Sequence, residues 1–98
     1  MTEPHDLDKV GRALTPMQTQ VVRLCSLGCT VKQIASILGL SPHTVENHKT
    51  AAMKRVGATN SAMLTRYAMA EGISPPGDEL TESERALLDA AAPPHEST

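Results

Sequence analysis

The sequence predicts an all-α fold, and three observations carry that prediction. Apolar residues recur at spacings of three and four along the chain, with no sustained alternation of the kind a half-buried strand shows. Helix-start signals, a Thr followed three residues later by Gln or Glu, recur, and the first two are followed by glycines at helix-end distances. Tyr67 is the sole aromatic residue, so a core must be assembled from Leu, Ile, Val, Met and Ala, which favours helices over a β-sandwich. With 98 residues, 40% hydrophobic and 20% charged, the chain has the composition of one small globular domain.

The first helix is predicted over about 16–27. Thr15 supplies the cap, Pro16 takes the first helical position and Gln18 completes a capping box. Val21, Val22 and Cys25, with Leu24 or Leu27, form its apolar stripe, and Gly28 closes it. Thr30 and Gln33 repeat the arrangement for a second helix with a narrow apolar face, Ile34, Ala35 and Leu38, that ends at Gly39. In Gly39-Leu40-Ser41-Pro42 a short glycine-containing turn runs straight into a Ser cap and a first-position Pro, which is a helix-turn-helix connection. The third helix is predicted over 42–56, with Val45, Ala52, Met53 and Val56 inward and Gly57 after its end. A fourth starts near Asn60 or Ser61 and continues through Met63, Leu64, Tyr67, Ala68 and Ala70 to Gly72. Ser74-Pro75-Pro76-Gly77 interrupts the pattern, and Thr81 and Glu84 then frame another capping box for a helix over about 81–92. The domain reading is thus a flexible arm (1–12), a four-helix domain (13–73), a linker (74–80), an appended helix (81–92) and a disordered tail (93–98).

Charge is unevenly distributed. Residues 13–73 hold Arg23, Lys32, Lys49, Lys54, Arg55 and Arg66 against Glu46 and Glu71, a net +4; residues 1–12 carry −1 and residues 74–98 carry −5. A cationic centre between acidic flanks is compatible with a polyanionic partner, and equally with a mixed solvated surface. No apolar run approaches the 18 or so residues of a membrane span, and the acidic N-terminus precedes no apolar stretch, so no membrane role and a cytoplasmic location are expected. Cys25 and Cys29 are too few and too close for a disulfide framework and read as structural thiols rather than a metal or redox pair. The sequence offers no nucleophile with a base, no paired carboxylates and no phosphate-cradling glycine loop, so neither enzymatic activity nor a cofactor is expected.

The second helix of a helix-turn-helix has the width of the DNA major groove. If Val45, Ala52 and Val56 face inward, His43, Glu46, Asn47 and Thr50 share the opposite face and become the base-contact candidates. Asn47 can pair with adenine, Glu46 can accept from the amino group of cytosine, and Thr50 can touch a base edge or a thymine methyl.

The run from Leu14-Thr15-Pro16 to Gly28, followed by Thr30-Val31-Lys32-Gln33-Ile34-Ala35, Leu38-Gly39-Leu40-Ser41, Thr44-Val45-Glu46-Asn47-His48 and Lys54-Arg55-Val56-Gly57-Ala58, resembles the LuxR/GerE family of bacterial transcription regulators in order and spacing. The resemblance covers about residues 13–72, and Thr-Val-Glu-x-His followed by Lys49 is closest to the FixJ-like branch. Gln18, Gln20, Val31 and Ala52 depart from the residues common in the family, with none on the recognition face. The resemblance implies sequence-specific binding of double-stranded DNA, with Thr30, Lys32, Thr44, His48, Lys49 and Lys54 as phosphate-contact candidates. It implies further that the fourth helix forms a homodimer interface, for which Met63, Tyr67 and Ala70 are the candidates.

A competing expectation is that helix 81–92, through Leu80, Leu87, Leu88 and Ala91, folds back over that stripe. No receiver or ligand-binding domain fits in the 12 residues ahead of the motif, so a stand-alone domain is expected, regulated by abundance, by a partner or by the C-terminal segment. Two alternatives remain: a domain like region 4 of a sigma factor, and a protein-interaction module that binds a regulatory protein or a subunit of RNA polymerase.

Overall fold

The computed structural model describes residues 14–91; the predicted arm, the predicted tail and the final residue of the predicted last helix lie outside the described residues. Among the described residues five helices follow one another: α1 (Pro16–Ser26), α2 (Val31–Leu38), α3 (Pro42–Val56), α4 (Ser61–Ala70) and α5 (Glu82–Ala91). Among the described residues there is no strand, so the architecture is all-α.

Local chemistry sets the starts. The Thr15 hydroxyl accepts from the Gln18 N–H at 3.1 Å while the Gln18 side chain accepts from the Thr15 N–H at 3.0 Å, and Thr30 with Gln33 reproduces this reciprocal pair at 3.1 and 2.8 Å. Thr81 and Glu84 do the same ahead of α5, at 3.1 and 2.9 Å. Each pair satisfies two N–H groups that a helix start leaves without an intrahelical partner.

Packing forms two adjoining clusters. Val21, Leu24, Ile34, Ala35, Ile37 and Val45 tie α1, α2 and α3 together. Val22, Ala52, Leu64 and Ala68 tie α1, α3 and α4, with Met53 and Val56 packed alongside. Helix α1 therefore serves both clusters from neighbouring residues, Val21 and Val22, each fully buried.

The C-terminal segment departs from expectation in three ways. Helix α5 does not fold back on the Met63 stripe of α4; it lies along α2, with Leu80 and Leu88 packed against the first cluster. The apolar face of α2 is accordingly wider than the narrow stripe predicted: Ile37 is buried and Leu38 only partly so, because α2 has neighbours on more than one side. Leu87, counted with the apolar face of the last helix, is instead 48% exposed. The stretch whose composition reads as a linker is docked as well. The Ser74 side chain is buried and donates to Asp78 Oδ2 at 3.0 Å, and its N–H reaches the Ala68 carbonyl at 3.1 Å.

What holds this segment down is Arg23 of α1. Its Nε donates to Asp78 Oδ2 at 2.8 Å and its Nη2 to Asp78 Oδ1 at 3.2 Å, a bidentate grip. Nη1 donates to Glu84 Oε2 at 2.7 Å, and Nη2 also reaches the Glu79 carbonyl at 2.9 Å. Glu84 thus divides its carboxylate, one oxygen capping the start of α5 and the other taking Arg23. The Arg23 bonds hold the Asp78 carboxyl below its ordinary pKa. For Glu84, burial pushes upward but is outweighed by the Thr81 N–H and Arg23, so its pKa also falls.

Candidate nucleic-acid interface

The turn between α2 and α3 fixes how α3 leaves the core. Gly39 adopts φ 71° and ψ 34°, a left-handed conformation that costs a residue with a Cβ about 1–2 kcal/mol. That geometry reverses the chain so that the Leu40 N–H bonds back to the Ala35 carbonyl at 3.0 Å. Ser41 then accepts from the Thr44 N–H at 3.1 Å, and Pro42 opens α3 with no N–H to leave unsatisfied.

Helix α3 is seated by Val45 and Ala52, both fully buried, one in each cluster. Because a helix repeats every 3.6 residues, anchoring 45 and 52 turns 43, 46, 47 and 50 outward. His43, Glu46, Asn47 and Thr50 are all exposed, on one continuous face. Thr44, His48 and Lys49 are half-buried along its margins, and Lys54 is exposed near the C-terminal end. Thr44 has a structural task as well: its hydroxyl accepts from Ser41 Oγ at 2.9 Å.

At the start of α2, Thr30 is exposed with its hydroxyl engaged by the Gln33 N–H, and Lys32, the second residue of the helix, is exposed within the first turn. A helix N-terminus and a lysine together suit a phosphate oxygen. Arg23 belongs to a different surface. Counted with the cationic centre in the sequence, it is enclosed by the oxygens of residues 78, 79 and 84, which raise its pKa further.

On α4 the dimer candidates are distributed unevenly: Met63 is 44% exposed, Ala70 is exposed, and Tyr67 is half-buried. Burial and the nearby charge of Glu71 push the Tyr67 phenol up. Met69, 42% exposed, adds apolar surface that the stripe read from sequence had left out.

Cys25 and Cys29 are free thiols, half-buried against the first cluster. Burial, and after it the charge of Glu84, pushes the Cys29 thiol up, which disfavours the reactive thiolate. No group of three or more His, Cys, Asp or Glu able to hold a metal occurs among the described residues, and no helix there is long and apolar enough to cross a membrane.

Sequence reasoning missed Arg23, Ser74 and Ile37. The partners of Arg23 lie 55 to 61 residues away, and the local pattern around residue 23 gives no sign of them; the acids at 78, 79 and 84 are the only hint.

Residues 12–68 match the model of the family described as bacterial regulatory proteins, luxR family. The transcriptional regulatory protein MctR of Rhizobium johnstonii is 38% identical over 60 residues, covering 61% of this chain and 28% of that protein. The transcriptional regulatory protein UhpA of Escherichia coli K12 is 42% identical over 53 residues, 54% of this chain and 27% of that protein. The chain thus spans about a quarter of the length of these curated relatives. No solved structure matches it at comparable significance. With more than half of its length matched, and with a helix-turn-helix seated as described, the chain belongs to the LuxR family of bacterial regulatory proteins.

Proposed function

We propose that this domain binds double-stranded DNA sequence-specifically and regulates transcription, with α3 in the major groove. The observation that carries this reading is the face formed by His43, Glu46, Asn47 and Thr50. It is exposed and polar, and it lies opposite the two buried residues that seat the helix. Asn47 and Thr50 read base edges, and Glu46 selects for a cytosine amino group. Lys32, Thr30 and the start of α2 hold the backbone, together with Thr44, His48, Lys49 and Lys54 along α3; these contacts position the domain without specifying sequence. The relatives' names support the regulatory role, and the family is one of regulators rather than enzymes. Two copies joined through Met63, Tyr67 and Ala70 would present two recognition helices to a two-fold symmetric site.

The competing reading is a protein-interaction module for a regulator or polymerase subunit. It draws on Glu46 in the middle of the recognition face and on the loss of Arg23 from the cationic surface. Selection from a random duplex library at two salt concentrations separates the two. Wild type should enrich a two-fold symmetric motif, with affinity falling steeply as salt rises because phosphate contacts release counterions. The variant carrying Lys32→Ala, Asn47→Ala and Thr50→Ala should lose the enrichment. Folded wild-type protein that retains no duplex at low salt would sink the DNA reading and leave the interaction module.

A further inference from the structure

The segment from Ile73 to Ala91 lies beyond the residues matched to the family, yet it is docked on the domain. Leu80 and Leu88 seal it to the first cluster, and Arg23 grips Asp78 and Glu84. Around that grip it carries Glu79, Glu82 and Asp89, all exposed. Its location relative to α2 follows from two observations. Helix α5 lies along α2, and Arg23, which grips Glu84, is the neighbour of Leu24, whose carbonyl accepts from the Cys29 N–H at 3.1 Å. Cys29 immediately precedes Thr30, the cap of α2. The acidic start of α5 therefore stands beside the end of α2 that offers Lys32 and free N–H groups.

We propose that residues 73–91 form a docked acidic strap negatively coupled to DNA binding: while held by Arg23, it keeps carboxylates beside the phosphate-facing end of α2 and lowers the affinity of the domain for DNA. This inference rests on the DNA-binding reading above. Packed helices lie about 8–10 Å apart, which puts the acids of the strap within about 20 Å of a phosphate held at the start of α2. That distance is inside the Debye length of about 30 Å at 0.01 M salt and well outside the 8 Å or so at 0.15 M. The repulsion is thus strong in dilute salt and screened near physiological ionic strength. Coupling is reciprocal, so bound DNA loosens the strap to the same extent that the strap weakens DNA binding.

The test compares wild type with a variant carrying Glu79→Gln, Glu82→Gln and Asp89→Asn, which leaves Arg23, Asp78 and Glu84 in place. Binding of random-sequence duplex is measured by fluorescence anisotropy at about 0.01 M and 0.15 M salt. The variant is expected to bind about two- to fivefold tighter at the lower salt, with the gain shrinking to less than about twofold at the higher. Glu79→Gln alone, placed outside any helix, should show the same sign at smaller size even if the triple variant melts early. Wild type and variants binding equally at low salt would overturn the strap and leave the DNA reading standing. So would a gain that salt does not diminish. No binding by any of them would overturn the DNA reading and the strap with it.

Discussion

Lys32 and Arg23 are both basic side chains of the helix-turn-helix region, and their surroundings differ sharply. Lys32 is exposed in the first turn of α2, whereas the guanidinium of Arg23 is filled by the protein's own oxygens. Replacing Lys32 with Ala should weaken DNA binding evenly across sequences and reduce the slope of log affinity on log salt by about one, as removal of one phosphate contact does. Replacing Arg23 with Gln should instead lower the melting temperature, because it leaves Asp78 and Glu84 facing each other without their cation. Asn47→Ala should act on sequence preference: about 1–3 kcal/mol of discrimination at one base pair is lost while binding to random duplex hardly changes, which a position-by-position competition assay would show. The outward face holding Asn47 was legible because helical period and two small buried residues fix it from sequence alone. The role of Arg23 was not, since charge along the chain says nothing about which acids return to it in space.

Helix boundaries are where local sequence speaks most directly. The three reciprocal Thr-Gln or Thr-Glu caps were readable residue by residue and form as the spacing predicts, because both partners lie within one turn of each other. Removing one should cost what a lost cap ordinarily costs: Thr30→Ala is expected to destabilise the domain by about 1 kcal/mol in urea titration. Gly57, at φ 76° and ψ 24°, ends α3 in the left-handed region, so Gly57→Ala should cost about 1–2 kcal/mol although no atom stands in the way of the new methyl group. The Arg23 grip adds a pH dependence of definite sign. Asp78 and Glu84 have lower pKa values folded than unfolded, so the stability they contribute is complete above the ordinary carboxylate range. It is lost as pH falls through their lowered folded values. The melting temperature should accordingly be flat between about pH 7 and 5 and drop below about 4, and that drop should be shallower in the Arg23→Gln variant.

At the scale of the whole molecule, periodicity found five helices and the inward faces of α1, α3 and α4, but it drew the face of α2 too narrow and could not decide which partner the fifth would choose. Leu80, Leu87 and Leu88 suit any apolar groove; α2 wins because Arg23, one helix away, captures Asp78 and Glu84 and brings Leu80 and Leu88 onto the first cluster. The same choice leaves Met63 and Met69 exposed at 44% and 42%, on a helix whose other side is fully committed through Leu64 and Ala68. Under the proposed two-copy arrangement, these exposed apolar side chains are where the second copy would dock. Met63→Glu tests this without unfolding the protein, since a substitution at a site this exposed ordinarily shifts stability by no more than about 0.5 kcal/mol. Sedimentation equilibrium should show wild type passing from monomer to dimer as its concentration rises, and the variant remaining monomeric. On DNA, the variant should still occupy a single half-site while losing the cooperative gain at a full two-fold site. A wild type that stays monomeric at high concentration and binds two half-sites independently would assign the methionines of α4 to some other contact, and recognition would then rest on one copy of α3 alone.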